Sequence, residues 1–332
     1  MVLKKQPRLF ILKGCGIFYF LIFILAGCSQ GSSVKETRIL MDTFCEISCY
    51  SPDRDKAVRA IGEAFKEMER IEKVFSKFDE NSEVSKINKI AGLENIKVRE
   101  EAFRLTERSI YYSRISDGAF DITVAPLMEM WGFVRKHKSI PDKDDIENAL
   151  KSVGYKNIEL DSKKLSIRFL NKDTKIDFGG IAKGYAVDRA KDVLVLNGIK
   201  NGLVNLGGNI FALGSAPGKK DWKIGVQDPR KKGKLLYSFE LTDSAISTSG
   251  NYERFFEIGG KRYSHIINPL TGEPCQGIIS VTVALDSAER ADALSTAIFV
   301  MGEEKGLILA KSIKDIKVLI LKEDGKIISY PQ

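Results

Sequence analysis

The chain has 332 residues, 43% of them hydrophobic and 29% charged, which suits one large domain or two ordinary ones and is too apolar for a disordered protein. Its net charge is +8, and four of the positive charges (Lys4, Lys5, Arg8 and Lys13) precede Cys28, where no acid occurs; the remainder is too evenly mixed for a nucleic-acid binder. Two histidines and no cysteine-pair spacing exclude His-rich and thiolate metal sites.

Residues 1–27 read as a targeting segment. A basic start is followed by "GIFYFLIFILAG", which is apolar but shorter than the ~20 residues a spanning helix needs. The segment closes on Leu25-Ala26-Gly27-Cys28, which resembles the lipobox of bacterial lipoproteins. That resemblance implies cleavage before Cys28, lipidation of Cys28 and an extracytoplasmic protein anchored to a membrane, on the periplasmic side if the cell has an outer membrane. An ordinary signal peptide or a short anchor helix is the alternative. Residues 28–36 are then expected to be a lipidated cysteine and flexible tether, and residues 37–332 the folded domain.

"TRILMDTFCEISCY" alternates like a strand, with Cys45 and Cys49 on one face about 13 Å apart, too far to bridge each other. Residues 53–76 carry apolar side chains at helical spacing: Val58, Ile61, Phe65, Met68, Ile71 and Phe75. After the polar break "KFDENS", Ser82 is placed to cap a short helix. "REEAFRLTERSIYYSRIS" and "DKDDIENALKSVG" read as two more helices. "KNIEL", "LSIRF" and "TKIDF" are predicted strands, and residues 180–197 a helix. Strand-rich texture follows through "KLLYSFEL", then a hairpin around Gly259-Gly260, the strand "GIISVTVALD", a helix from Ala288 ending at Gly302, and a last hairpin at Asp324-Gly325. No βαβ alternation is present. The pattern predicts an α+β fold: a single large domain with an antiparallel-rich mixed sheet, flanking helices and an inserted helical part near 80–155.

Four stretches carry candidate chemistry. In "DFGGIAKGYAVD", Asp177 ends a predicted strand, Gly179 and Gly180 turn the chain, and a helix begins near Ile181 with Lys183 in its first turn; such a start suits an anion, while the Gly180 carbonyl is open to a hard cation. A plain strand–turn–helix with packing glycines explains the same residues. In "ADALSTAIF", Asp292 and Thr296 share a helix face and offer a carboxylate and a hydroxyl to a cation such as Mg²⁺, or else a cap and a buried threonine. In "YSHIINPLTGEP", His265 ends a strand beside turns, a place suited to a general base or to a structural histidine. "SDGAFDITVAPLMEMWGF" sets Asp121 among apolar neighbours. His137, in "RKHKS", reads as a solvated loop residue.

Together with "LVNLGGNI", "AISTSGNYERFF" and "ADALSTAIFVMG", these stretches occur in the order found in the ApbE family of FAD:protein FMN transferases, which the chain resembles from "LMDTFCE" to the last long helix. The resemblance implies binding of FAD and Mg²⁺, cleavage of the pyrophosphate, transfer of the FMN half to a threonine or serine hydroxyl of an acceptor protein, and release of AMP. Subunits of Nqr- and Rnf-type electron-transport complexes are the acceptors it implies. By position it places Met41, Phe78, Ala119, Phe120, Asp121, Asp177, Lys183 and His265 against FAD, gives Gly180, Asp292 and Thr296 to magnesium, and makes His265 the base on the acceptor hydroxyl. An unshifted imidazole would lose its proton around pH 6–7. Phe78 stands where many members carry tyrosine. An FAD pyrophosphatase that uses water as acceptor, and a flavin-carrying lipoprotein, are the competing expectations.

Overall fold

In the computed structural model, residues 32–134, 140–218 and 220–331 are described; Cys28, the targeting segment and His137 lie outside them. The chain forms strands β1 (Ser32–Leu40) and β2 (Thr43–Ser51), then helices α1 (Arg54–Phe75) and α2 (Glu83–Ile90). Strand β3 (Ile96–Lys97), helices α3 (Glu100–Ile115), α4 (Ala125–Met130) and α5 (Lys143–Leu150), and strands β4 (Ile158–Asp161) and β5 (Ser166–Phe169) follow. Helix α6 (Ala182–Leu196) leads to β6 (Asn201–Leu206), β7 (Asn209–Leu213), β8 (Trp222–Gln227), β9 (Leu235–Leu241) and β10 (Ser244–Gly250). The chain finishes with β11 (Phe255–Ile258), β12 (Lys261–Ser264), β13 (Ile278–Leu285), α7 (Ala288–Lys311), β14 (Lys317–Lys322) and β15 (Ile327–Tyr330).

Eight strands build one sheet in the order β1-β2-β6-β7-β10-β13-β14-β15, every neighbouring pair antiparallel. The strand period of two decides which side chains meet which layer. Cys45, Ile47, Cys49, Ala245, Val281 and Val283 face α1, α6 and α7 in the main core. Leu203, Ile210, Ala212, Ile246 and Ala284 point the other way, where the β8–β9 hairpin covers them with Trp222, Ile224 and Phe239. Between α1 and α6 the chain leaves the sheet and forms α2–α5 with the small β3-β5-β4 sheet, which bears out the expected inserted part and extends it past residue 155.

Four expectations need correction. The one strand expected over residues 37–50 is a hairpin, because Met41 and Asp42 take positive φ and turn the chain back on itself. β1 begins at Ser32, inside the stretch expected to be a tether, because Ser32 to Leu40 pair residue for residue with β2. "TKIDF" joins no ladder: Ile176 N–H donates to the Asn88 side chain and Asp177 N–H to the Ile122 carbonyl, so the backbone is satisfied by the inserted part instead. Gly302 does leave helical geometry, at φ 80°, but the chain resumes a helix to Lys311 rather than ending there.

The closest packing joins α6 to α7. A Cβ on Gly184 would lie 2.2 Å from the Ala288 carbonyl oxygen, so only glycine admits α7 at this distance. One turn along α6, the Asp188 carboxylate caps α7, accepting from Ala288 N (2.9 Å), Glu289 N (3.0 Å) and Ser287 Oγ (2.7 Å). Gly184→Ala is expected to lower unfolding stability by about 1–3 kcal/mol, read as a shift in urea midpoint with an unchanged slope. A midpoint equal to that of the wild type would mean the contact is not rigid.

Candidate active site

The register places one end of the main sheet under the functional residues. The β1–β2 turn (Met41, Asp42), the β6–β7 turn (Gly207, Gly208), the last residues of β10 and the first of β13 all lie there. Helix α6 begins at that end, and α7 runs toward it from the far end of β13, so that Asp292 and then Thr296 come beside Ser247 and Ser249. β10 alternates Ser247 and Ser249 toward α7, and α7 answers with Asp292, Ser295 and Thr296.

Asp292 is 5% exposed. Its Oδ2 accepts from Gly184 N–H at 2.9 Å, while among the described residues the nearest polar group to Oδ1 is the Ser247 hydroxyl at 3.5 Å. Ser247 in turn donates to Asn209 Oδ1 at 2.6 Å. Burial pushes the Asp292 carboxyl up to about 6, against the pull of Lys183. One turn on, Thr296 Oγ1 lies 3.1 Å from Ser249 Oγ, and a Cβ on Gly180 would sit 3.4 Å from that same Thr296 oxygen and 3.2 Å from the Phe120 ring. Asp292, Thr296 and the Gly180 turn are thus brought to one place. The under-used buried carboxylate oxygen, with a hydroxyl and an unobstructed glycine backbone nearby, is a hard-oxygen donor set that fits Mg²⁺. Among the described residues no cluster of three His, Cys, Asp or Glu is suited to a metal, so such an ion would take most of its remaining ligands from phosphate and water.

His265 follows β12 and is half-buried. Its Nδ1 lies 3.1 Å from the Arg254 carbonyl oxygen. A carbonyl only accepts, so in the neutral ring Nδ1 carries the proton and Nε2 keeps its lone pair. Desolvation, then the positive charge of Lys183, holds the imidazole down to about 4, well below the 6–7 of a free ring. The hairpin that carries it is seated by a satellite core: Trp131 donates to the Gly272 carbonyl at 2.8 Å and packs on Tyr263, while Phe133 approaches the His265 ring at 6.5 Å.

The remaining expected residues divide. Lys77 Nζ pairs with Asp177 Oδ2 at 2.5 Å, and Asp177 Oδ1 accepts from Gly179 N–H at 2.8 Å, so Asp177 stabilises the turn that presents Gly180 and Lys183. Phe78, next to Lys77, is 57% exposed. Met41 and Asp42 hold positive φ (49° and 59°) in the two-residue turn, where Glu72 accepts Met41 N–H and Arg254 pairs with Asp42 at 3.7 Å. Ala119 and Phe120 are buried beneath the site. Asp121 is turned inward: one carboxylate oxygen accepts from Thr123 N–H and hydroxyl, the other from Tyr155 N–H. Sequence reasoning gave no role to Asn209, Ser247, Ser249, Ser295 or Lys77. The alternation of Ser247 and Ser249 along one face of β10 was the available signal.

The ApbE family model matches residues 41–320. The chain belongs to the ApbE family. It is 30% identical to an FAD:protein FMN transferase of Treponema pallidum over 329 residues, covering 92% of this chain and 91% of that one. Among solved structures it is similar to the ApbE protein of Thermotoga maritima (TM-score 0.84, 36% identity, 90% of this chain and 96% of that one). It is also similar to the flavin transferase ApbE of Vibrio cholerae (TM-score 0.80, 28% identity, 90% and 97%). The α+β architecture expected from sequence is therefore that of ApbE proteins.

With a folded value near 4 against 6.5 unfolded, His265 is neutral at pH 7; it reduces stability as pH falls from about 6.5 to about 4 and has no effect above that window. In a His137→Gln background, the single imidazole C2–H resonance of the unliganded protein is expected to titrate near pH 4. A midpoint at 6.5 would show the ring to be solvated.

Proposed function

We propose that this chain is an FAD:protein FMN transferase, acting on a threonine or serine hydroxyl of an acceptor protein. The observation that carries the reading is the gathering of Asp292, Thr296 and the Gly180 turn into an oxygen-donor set, with Lys183 close enough for its charge to act on both Asp292 and the imidazole of His265. The names of the relatives support the same activity.

The acceptor hydroxyl oxygen attacks the phosphorus of the FMN half of FAD. Its proton passes to His265 Nε2, a new P–O bond forms, and the pyrophosphate P–O bond breaks with its electron pair leaving on AMP. His265 needs no prior deprotonation at neutral pH, because its depressed value keeps Nε2 bare. Lys183 lies where it can face the diphosphate, and Lys77 with Asp177 holds the turn that carries it. Asp292, Thr296 and the Gly180 carbonyl would hold magnesium, which when bound neutralises pyrophosphate charge and stabilises the leaving phosphate. Asn209 accepts the Ser247 hydroxyl proton in a hydrogen bond, which leaves Asp292 Oδ1 available to a cation.

Hydrolysis of FAD by water would use the same groups. Phe78 brings an exposed ring without a hydroxyl, a departure that leaves the balance of transfer and hydrolysis to experiment. One assay separates them: FAD, Mg²⁺ and a candidate acceptor of Nqr or Rnf type, with AMP and protein-bound flavin followed together. Transfer gives both products in equal amounts; AMP alone identifies a pyrophosphatase. His265→Ala is expected to keep FAD binding and lose roughly 10²–10⁴ in transfer rate, while Asp292→Ala and Asp292→Asn lose Mg²⁺-dependent AMP release though folded. Near-normal transfer by His265→Ala at saturating FAD, or normal AMP release by a folded Asp292 variant, would remove that residue from the mechanism.

The lipobox-like Leu25–Cys28 stretch supports a lipid anchor and an extracytoplasmic location. Mass spectrometry of the mature protein is expected to find an acylated Cys28 at the N-terminus. A mature terminus elsewhere would overturn the anchor.

A further inference from the structure

We propose that the free edge of β1 is the docking strand for the acceptor polypeptide, which adds to the main sheet in extended form and is thereby led to His265. This rests on the transferase reading above. Among the described residues β1 is the terminal strand of the eight-stranded sheet and pairs with β2 alone. Leu40 and Thr43 flank the two-residue turn and form a hydrogen-bonded pair, as such turns require. The alternation of an antiparallel ladder then commits Arg38 and Glu36 to β2 and turns the backbone N–H and C=O of Ile39, Thr37 and Lys35 outward. These are the donors and acceptors an incoming strand uses.

The edge is unevenly protected. Toward its start, Lys35 is ion-paired across the hairpin to Glu46 at 2.6 Å, a charged feature that discourages indiscriminate pairing. Toward the turn, Ile39 is 72% exposed and its cross-strand partner Phe44 is 55% exposed, two large apolar side chains left uncovered side by side. This unprotected portion adjoins the catalytic end. Asp42, three residues beyond Ile39, pairs with Arg254, and the Arg254 carbonyl holds His265. A strand laid along β1 from Lys35 to Ile39 therefore runs toward the base, with alternate side chains resting on Ile39 and Phe44. The occupant is an extended acceptor segment because the reaction delivers a polypeptide hydroxyl to His265 and the apolar patch is continuous with that approach.

Thr37→Pro tests the backbone contact, since proline removes an outward N–H without taking one from the β1–β2 ladder. Ile39→Glu tests the side-chain contact. Neither residue belongs to the catalytic set. The probe is a membrane preparation from cells lacking this gene, mixed with purified enzyme, FAD and Mg²⁺; protein-bound flavin is read as fluorescence in denaturing gels. Both variants are expected to keep wild-type thermal midpoints and FAD affinity, to lose about tenfold in transfer rate at low membrane concentration, and to recover as it rises. Equal transfer by wild type and folded variants at low acceptor would overturn the docking strand. A thermal midpoint lowered in Thr37→Pro leaves Ile39→Glu as the deciding variant. If sedimentation shows a wild-type dimer that Thr37→Pro dissociates, the edge belongs to a second copy and the proposal fails. Absence of any protein-bound flavin with the wild type would instead overturn the transferase reading itself.

Discussion

The contact of α6 with α7 at Gly184 is the constraint on which the rest of the site depends. Without a side chain at Gly184, the α7 backbone comes against α6, and the Gly184 N–H reaches the Asp292 carboxylate. Asp188 caps α7 in the same approach, so the helix start is fixed both along and around its axis. Rotation of α7 by even a fraction of a turn would carry Asp292 and Thr296 away from Gly180 and from the serines of β10. The glycines and acids of "DFGGIAKGYAVD" thus serve packing, the plainer of the two readings the sequence left open, while the same turn sets the Gly180 backbone beside Thr296.

A second principle is electrostatic. Asp292 and His265 are both desolvated, and in each case burial is the largest influence: it raises the acid to about 6 and lowers the base to about 4. Lys183 acts on both with opposite consequences, favouring the Asp292 anion and disfavouring the His265 cation. The free site therefore holds a carboxylate that gains from a cation and an imidazole that stays unprotonated, which is the pairing expected of a centre that binds a metal with a polyanion and accepts a proton from a hydroxyl.

The inserted part supports the His265 hairpin from a distance. Asp121 and Thr123 fasten the segment after α3 to Tyr155, and Trp131 reaches across to the Gly272 carbonyl beneath the His265 hairpin. Asp121, which the sequence showed only as an acid among apolar neighbours, and Trp131 thus help seat the His265 hairpin from the far side. β1 offers the complementary case, an edge whose outward backbone and exposed apolar pair have no strand beside them among the described residues.

The amino-acid sequence by itself determined the elements whose signals are local. The 3.6-residue period of α1, the Ser82 cap, the two-residue alternation that put Cys45 and Cys49 on one buried face, and the Gly259-Gly260 hairpin were all legible, as was the order of motifs that marks the family. Tertiary structure decided what depends on distant partners. "TKIDF" has strand-like composition, yet its backbone found Asn88 and Ile122 instead of a ladder. Ser32 to Glu36 became part of a strand because β2 lay beside a segment that composition marked as a tether. The values of His265 and Asp292, the pairing of Ser247 with Asn209 beside Asp292, and the inward commitment of Asp121 arise from burial and from hydrogen bonds that span 34 to 108 residues. Periodicity and capping act over a few residues and can be read from one segment. Desolvation and long-range pairing exist only once the whole chain has closed around the group, so only the folded structure could decide them.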